Sequence, residues 1–437
     1  MNFGIPLFSD WSGAGERPYV DRIVDQALTT GLAHFAGMFV TGPRAVGKTR
    51  TGLEFCASRL QLDDPDDRNL CQADPMGAIK GEAPRLIDEW QMVPEVLMAV
   101  KRRIDERPGP GRFIITGSAR NDLLKEMWPG TGRLIRLQLR GMVGREIFGQ
   151  AAAEPLFDRW EDAEQRFSVP AQPPDLAEYV EIALASGFPE ALALPRDQER
   201  SRWLESYAGW IINRDLPSLS AENGRRKDLR LFRSYLESYA LNTAGIVPHS
   251  TIHQRIGIDR RTANSYLDAL ITLGIIDELP PWAGNRRKRL VIERVKRQFT
   301  DAGLAAAIAG LNTNDVYRSA EFRGRILDSF ITAQIRVEAE ASRRVRLFHL
   351  RTENGTHEID LVAERGPHLY AFEYKSGSSP KRTDARHLIW FRDQVAGDRF
   401  RGGVLFHTGR HRHQLDRDIE AVPIAGLWGP NLPEDQA

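Results

Sequence analysis

The stretch Gly42-Pro43-Arg44-Ala45-Val46-Gly47-Lys48-Thr49 spells G-x-x-x-x-G-K-T. No other part of the chain constrains its fold so tightly, because this pattern works only between a buried strand and a helix N-terminus. The two glycines let the backbone bend so that successive N–H groups face phosphate oxygens. Lys48 places a point positive charge at the β- and γ-phosphates. The Thr49 hydroxyl is suited to ligate Mg²⁺. Gly37-Met38-Phe39-Val40 reads as the short buried strand, and Thr51 to Leu60 as the helix whose N-terminal dipole faces the phosphates. A chance glycine turn with a lysine after it would lack both flanks. The motif calls for ATP and Mg²⁺, bound by Gly42 through Thr49.

The remaining pieces of such a site lie downstream. Arg85-Leu86-Ile87-Asp88-Glu89 is a short apolar run ending in two carboxylates, about 40 residues after Lys48. Asp88 is placed to hold Mg²⁺ through water, and Glu89 to polarise the attacking water as general base. Two carboxylates at a strand end are unremarkable alone; after a P-loop they form its companion motif. Phe113-Ile114-Ile115-Thr116-Gly117-Ser118 follows a helical pattern, Val93 to Glu106. It reads as a buried strand whose polar end lies at the ligand edge of a parallel sheet. Thr116 and Ser118 there are placed to sense the γ-phosphate or position the water, unless Ser118 simply caps a helix. Gly130-Thr131-Gly132-Arg133 sets an arginine on a flexible turn. If Arg133 acts in trans on a neighbouring subunit, the chain works as a homo-oligomer; otherwise it is a surface arginine. The acidic run Gln61 to Asp67 reads as a surface loop, and Ile23, Ala27 and Leu28 share one face of an earlier amphipathic helix.

The ordered set GPRAVGKT, LDDP, LIDEWQ and FIITGS resembles a prokaryotic family of AAA-type ATPases with a C-terminal region of uncharacterised function. The resemblance continues through SGFPEAL, INRDL, TDAGL, EIDLV and FEYKS, and so covers most of the chain in the family's order. It implies an α/β protein with three parts: a P-loop AAA-type ATPase domain, a helical winged-helix-like middle domain, and a C-terminal restriction-endonuclease-like α/β domain. The corresponding boundaries are 1–150, a linker and helical segment over 151–224, 225–315 and 316–437. No physiological role follows from it.

The middle part carries its own signals. Residues 150–175 are rich in Ala, Pro and acids and suit a linker or lid loop. Trp203, Tyr207, Trp210 and Ile211 recur at helical spacing and read as core. Ser250 looks like an N-cap for a helix through Arg255. After a turn at Gly257-Ile258-Asp259, a longer helix puts Ala263, Tyr266, Leu267, Leu270 and Ile271 on one face, and Gly274 ends it. This is helix-turn-helix geometry. Arg260, Arg261 and Asn264 point outward early in the second helix and suit phosphates and base edges. Arg286, Arg287 and Lys288 follow where a wing hairpin belongs. Between Arg225 and Thr300 there are fifteen Lys and Arg against seven Asp and Glu, although the whole chain carries a net charge of +1. DNA is the partner such a surface fits; a solvated basic face or a protein-interaction module is the plainer reading.

The C-terminal third reads as a helix (Glu321 to Glu340), three strands (Val345 to Leu350, His357 to Val362, Leu369 to Lys375), a helix (Thr383 to Val395) and a strand (Gly403 to His407). Asn354-Gly355 marks a hairpin between the first two strands. A period of two puts Glu373 and Lys375 on one strand face, with Asp360 on the adjoining strand. Convergence would let Asp360 and Glu373 bind Mg²⁺ while Lys375 orients or deprotonates a water for phosphodiester attack. Nucleases that resemble this arrangement often add a helix Glu; Asp328 stands at that place, one methylene shorter.

Composition narrows the setting. A chain of 437 residues needs more than one core. No run of about 18 apolar residues occurs, so no membrane span is expected. Met1 to Pro18 lacks a basic start followed by an apolar run, so no secretory signal is expected. Cys56 and Cys71 form neither a metal spacing nor a disulfide framework, which fits a cytoplasmic protein. Only nine of 60 basic residues are Lys, and two of these are Lys48 and Lys375, where the chemistry asks for an ammonium. Together these features point to a DNA-acting ATPase. Either it is an ATP-gated nuclease, or it is a switch in which ATP controls binding to DNA or protein without cleavage. A small-molecule kinase is disfavoured, because so much of the chain reads as DNA-type modules.

Overall fold

Apolar alternation along short strands builds the N-terminal domain. The computed structural model describes residues 18–117, 132–215, 228–284, 295–352 and 355–429. Strands β1 (Gly37–Thr41), β2 (Ser58–Gln61), β3 (Arg85–Asp88), β4 (Phe113–Thr116) and β5 (Leu134–Gln138) form a parallel sheet of order β2-β3-β4-β1-β5. Phe39, Ile87, Phe113 and Ile115 pack on one face with Trp90 and the helix Val96–Glu106. Met38, Val40, Leu86 and Ile114 pack on the other with Leu28 of the helix Val24–His34. Both faces are covered, as a parallel sheet requires. β1 sits between β4 and β5, and the P-loop leaves its C-terminal end, where such sheets bind ligands.

Two local expectations change. The P-loop helix is Lys48–Phe55 and stops short of Leu60. Leu60 is fully buried in β2, opposite Ile87, so the sheet and not the helix claims it. The acidic run after Gln61 is only briefly a loop: Asp64 caps the helix Pro65–Ala73, accepting from the Asp66 and Asp67 N–H groups.

The middle region is helical, with a two-stranded ladder of β6 (Ile276–Leu279) and β7 (Lys296–Phe299). In the helix Asp197–Trp210, Tyr207 is buried and stacks on Trp203 at 5.3 Å. Trp210, expected in the core, is 59% exposed. A π-turn, Ile211–Asp215, begins beside it and carries Ile211 and Ile212 inward instead. The helix-turn-helix pair is His249–Arg255 and Arg260–Thr272. The first starts one residue before Ser250, behind Pro248, so Ser250 is not its cap. Asp259 caps the second. Ala263, Tyr266, Leu267 and Leu270 are buried, whereas Ile271 lies past the edge of the buried face, 37% exposed.

A 22-residue helix, Ala320–Ala341, leads into the C-terminal sheet. β8 (Val345–Arg351), β9 (Glu358–Arg365) and β10 (His368–Lys375) form an antiparallel meander. β11 (Phe400–His407) then pairs parallel to β10. Two strands not anticipated, β12 (His413–Asp416) and β13 (Ile419–Pro423), extend the sheet to the order β12-β13-β11-β10-β9-β8. The expected helix Thr383–Val395 is a 3-10 turn, a short α-helix (Arg386–Trp390) and a π-turn in succession. Asn354 lies outside the described residues.

Residues 150–175 do not form a solvated linker. Leu156, Phe157, Trp160 and Phe167 are buried, and Trp160 meets Tyr370 of β10 at 4.6 Å between ring centres. Their apolar area outweighs the polar composition that suggested a loop. The strap therefore carries the end of the N-terminal domain onto the C-terminal sheet. Among the described residues no helix is long and apolar enough to cross a membrane.

Candidate functional site

The P-loop geometry follows from close approach. A Cβ on Gly42 would lie 2.2 Å from the Leu139 carbonyl oxygen, so no other residue fits there. Gly47 has φ 102°, a conformation glycine adopts without strain. Pro43, Arg44, Ala45 and Val46 complete the turn, and Val46 is fully buried beneath it. Lys48 is buried, and its Nζ donates to the Gly42 and Pro43 carbonyls at 3.1 and 2.6 Å. Burial brings its pKa down to about 8, although Glu89 opposes this.

The carboxylates meet the loop as the spacing suggests. Thr49 Oγ1 donates to Asp88 Oδ1 at 3.1 Å, the hydroxyl–carboxylate pair that suits Mg²⁺. Thr116, fully buried, also donates to Asp88 Oδ1 and so positions that carboxylate. Glu89 takes φ 52°, a left-handed conformation unusual for a non-glycine and concentrated at functional sites. Gln91 Nε2 donates to Glu89 Oε2. Burial and then Asp88 raise the Glu89 pKa above the ordinary glutamate range. Lys48, Thr49, Asp88 and Glu89 line one cleft of about 1220 Å³, which Arg214 enters from the middle region. Arg214 belongs to the INRDL stretch of the resemblance, where it carries no assigned role, and stands in the π-turn after Trp210. Ser118 lies outside the described residues. Arg133 pairs with Asp105 at 2.6 Å within the same chain.

Polar contacts lead from this cleft to the other domains. Arg22 Nη1 donates to the Val46 carbonyl at 3.1 Å and Nη2 to the Arg140 carbonyl at 2.6 Å, while Nε pairs with Glu146 at 3.1 Å. The Arg140 side chain reaches Asp277 of β6 at 2.6 Å and Glu340 of the long helix at 2.7 Å. Tyr207 donates to the Arg44 carbonyl at 3.1 Å. Gly274, just past the helix-turn-helix pair, packs on Pro43. None of these contacts has a sequence signature, because each joins residues far apart in the chain.

In the C-terminal domain, Asp360 Oδ2 accepts from the Tyr374 N–H at 3.1 Å, which brings it beside Glu373. Glu373 is 3% exposed, and neither carboxylate oxygen has a hydrogen-bond partner among the described residues. Burial, followed by Asp360, pushes its pKa up to about 8. Lys375 is exposed at the strand end. Asp328 joins the group, but through Lys296, whose Nζ lies 2.6 Å from Asp328 Oδ2 and 3.9 Å from Asp360 Oδ1. The expectation that Asp328, Asp360 and Glu373 form a metal-binding set therefore meets an ammonium among them. No group of three or more His, Cys, Asp or Glu among the described residues is placed to hold a metal. Lys296 joins Lys48 and Lys375 as one more of the nine lysines at a chemically demanding position, and nothing local in the sequence singled it out.

Arg260, Arg261 and Asn264 are exposed on the first turns of the second helix of the pair. Arg286, Arg287 and Lys288 lie outside the described residues, between the two strands of the ladder.

Residues 35–148 match an AAA domain. The N-terminal part of this chain is an AAA-type P-loop domain. Residues 176–315 and 323–427 match two domains of unknown function, DUF8612 and DUF4143. Uncharacterised proteins of Mycobacterium tuberculosis and Mycobacterium bovis are each 24% identical over 392 residues, covering 88% of this chain and 79% of theirs. Among solved structures, a Walker-type ATPase of Pyrococcus abyssi is similar at 15% identity and a TM-score of 0.38, covering 67% of this chain and 99% of that one. The Aeropyrum pernix Orc1 protein, solved in complex with DNA, is similar at 12% identity and a TM-score of 0.22, covering 65% of this chain and 91% of that one. These global likenesses are slight; the family model over the AAA domain carries the assignment. Nucleotide binding at the P-loop is what that family implies.

Proposed function

We propose that this protein is an ATP-hydrolysing switch acting on DNA, in which the nucleotide state of the AAA domain sets the position of the β6–β7 ladder and the helix-turn-helix pair. One observation carries the reading: Arg22 and Arg140 run from the P-loop carbonyl of Val46 to Asp277 on β6 and Glu340 on the long helix. A change in the P-loop backbone would reach both other domains through a few short charged contacts.

The roles at the cleft follow from its chemistry. Lys48 and the loop N–H groups bind the phosphates. Thr49 and Asp88, already paired, are the residues that would hold Mg²⁺, which neutralises phosphate charge when bound. Glu89 takes a proton from the attacking water, and its pKa, raised by burial and then by Asp88, makes it a stronger base. Arg260, Arg261 and Asn264 would contact DNA, and Arg286, Arg287 and Lys288 would add to the basic charge that attracts it.

A second reading, an ATP-gated nuclease, is favoured by Glu373. A buried carboxyl group with both oxygens unpartnered among the described residues is costly unless a ligand completes it. The helix and the order β8-β9-β10-β11 around Asp360, Glu373 and Lys375 fit a restriction-endonuclease-like domain.

The test is phosphate release and DNA binding by wild type, Lys48→Ala and Glu89→Gln, with and without duplex DNA, alongside DNA cleavage by wild type and Asp360→Ala. Nucleotide-dependent DNA binding lost in Lys48→Ala supports the switch. DNA binding indifferent to nucleotide refutes it. Cleavage abolished by Asp360→Ala supports the second reading.

A further inference from the structure

The cation among the C-terminal carboxylates comes from another domain. Lys296 opens β7 in the middle region, paired with Leu279 of β6, yet its side chain is only 2% exposed. Its Nζ donates to the Asp360 carbonyl at 3.1 Å besides pairing with Asp328 and Asp360. The other Asp328 oxygen accepts from Thr332 Oγ1 at 3.1 Å, and the other Asp360 oxygen from the Tyr374 N–H at 3.1 Å. Both aspartates are thus committed, each to the ammonium and to one neutral donor. Of the three carboxylates, Glu373 alone has no hydrogen-bond partner among the described residues.

A divalent ion and an ammonium compete for the same carboxylate oxygens, and like charges crowded in a half-buried site need one or the other. The fold resembled in the sequence expects a metal here. This chain supplies Lys296. We propose that Lys296 is a built-in cation that fills the metal position of the C-terminal site and keeps it closed to divalent ions. The proposal deepens the second reading above. It rests on Asp360 and Glu373 being a cation site, and not on DNA cleavage or ATP hydrolysis.

The test is Mn²⁺ binding to the full-length, nucleotide-free protein, read by the electron paramagnetic resonance signal of free Mn²⁺. Wild type should bind no Mn²⁺ that depends on Glu373. Lys296→Met, which keeps the side chain's bulk, should bind Mn²⁺ at least about tenfold more tightly, and the added site should vanish when Glu373→Gln is combined with it. Lys296→Met strands Asp328 as a buried, uncompensated charge and so risks misfolding. Lys296→Met with Asp328→Asn removes both charges and leaves Asp360 and Glu373 to take the metal. Mn²⁺ bound by wild type and lost in Glu373→Gln would overturn the proposal whatever the variants do. A folded double variant, judged by circular dichroism, with no added site would overturn it too. Mn²⁺ binding by Lys296→Met without DNA cleavage would uphold this inference while removing the nuclease reading.

Discussion

Replacing Asp277 by Ala isolates the joint between the AAA domain and the ladder. Asp277 pairs with Arg140 at 2.6 Å and Arg336 at 2.9 Å, and its side chain is 22% exposed against 15% for each arginine. Removing one partner of a fully buried pair costs about 3–5 kcal/mol, and of an exposed pair about 0–1 kcal/mol. Arg140 would keep its contacts with both Glu340 oxygens, whereas Arg336 would lose the carboxylate beside it. The expected loss is about 2–3 kcal/mol, between those limits. Arg140 and Arg336 hold the Asp277 pKa below the ordinary aspartate value against the opposing effect of burial. A depressed folded-state pKa means the stabilisation is complete above the unfolded value of about 3.9 and disappears as pH falls through the lower folded value. At pH 7 the full cost should therefore appear. The assay is urea unfolding of the full chain followed by tryptophan fluorescence, together with ATP turnover with and without DNA. Lower stability, basal turnover within about threefold of wild type and loss of the DNA effect are expected. Stability within about 0.5 kcal/mol of wild type would refute the energetic argument. An unchanged DNA effect would refute the coupling.

At the cleft, Glu89→Gln should lower the turnover number about 10²–10⁴-fold while ATP still binds, measured by single-turnover hydrolysis and nucleotide binding. Thr116→Val keeps shape but removes the hydroxyl that donates to Asp88; a lost bond to a charged group, worth about 1.5–3 kcal/mol, should slow hydrolysis about 10–100-fold without unfolding the sheet. Nucleotide affinity should be level below pH 8 and weaken above it. The Lys48 pKa is about 8 in the free protein, bound phosphates raise it, and so the free lysine must take up a proton to bind. Calorimetric titration in buffers of different ionisation enthalpy would show proton uptake above pH 8. Its absence would mean that Lys48 stays fully charged in the free cleft.

The legible parts of this chain were those written in contiguous residues. Gly42 to Thr49, Asp88, Glu89 and the Phe113–Thr116 strand sit where their local patterns placed them, because a strand–loop–helix unit is specified within a dozen residues. The helix-turn-helix pair was equally local. Misreadings arose where distant packing overrode composition. The strap over 150–175 looks polar, yet Trp160 and Phe157 sink into aromatic partners on β10. Trp210 fits helical spacing but stands where the helix widens into a π-turn. Lys296 was invisible because its partners, Asp328 and Asp360, are 32 and 64 residues away and on different elements.

That same packing limits how the molecule can move. Trp160 on Tyr370, Phe148 stacked on Trp428 at 4.5 Å, and Arg145, 1% exposed, against Glu338 at 3.2 Å fasten the end of the AAA domain to the C-terminal domain. Breaking these contacts would expose large aromatic areas and a buried ion pair together, a cost of many kcal/mol on the order of about 25 cal/mol per Å² of apolar surface. The β6–β7 ladder is held by both kinds of contact. Ile276, Leu279 and Phe299 are buried in the same apolar core, and the segment after β6 bonds to His349 of β8 through Pro280 and Trp282. Charged contacts join it to the AAA domain at Arg140–Asp277 and to the C-terminal carboxylates at Lys296, and only these can exchange partners without uncovering that core. Asp277 and Lys296 lie on paired strands within two register steps of each other. A displacement felt at Asp277 is therefore felt at Lys296. If ATP turnover moves the ladder, the carboxylates around Lys296 are the place where that movement would be read.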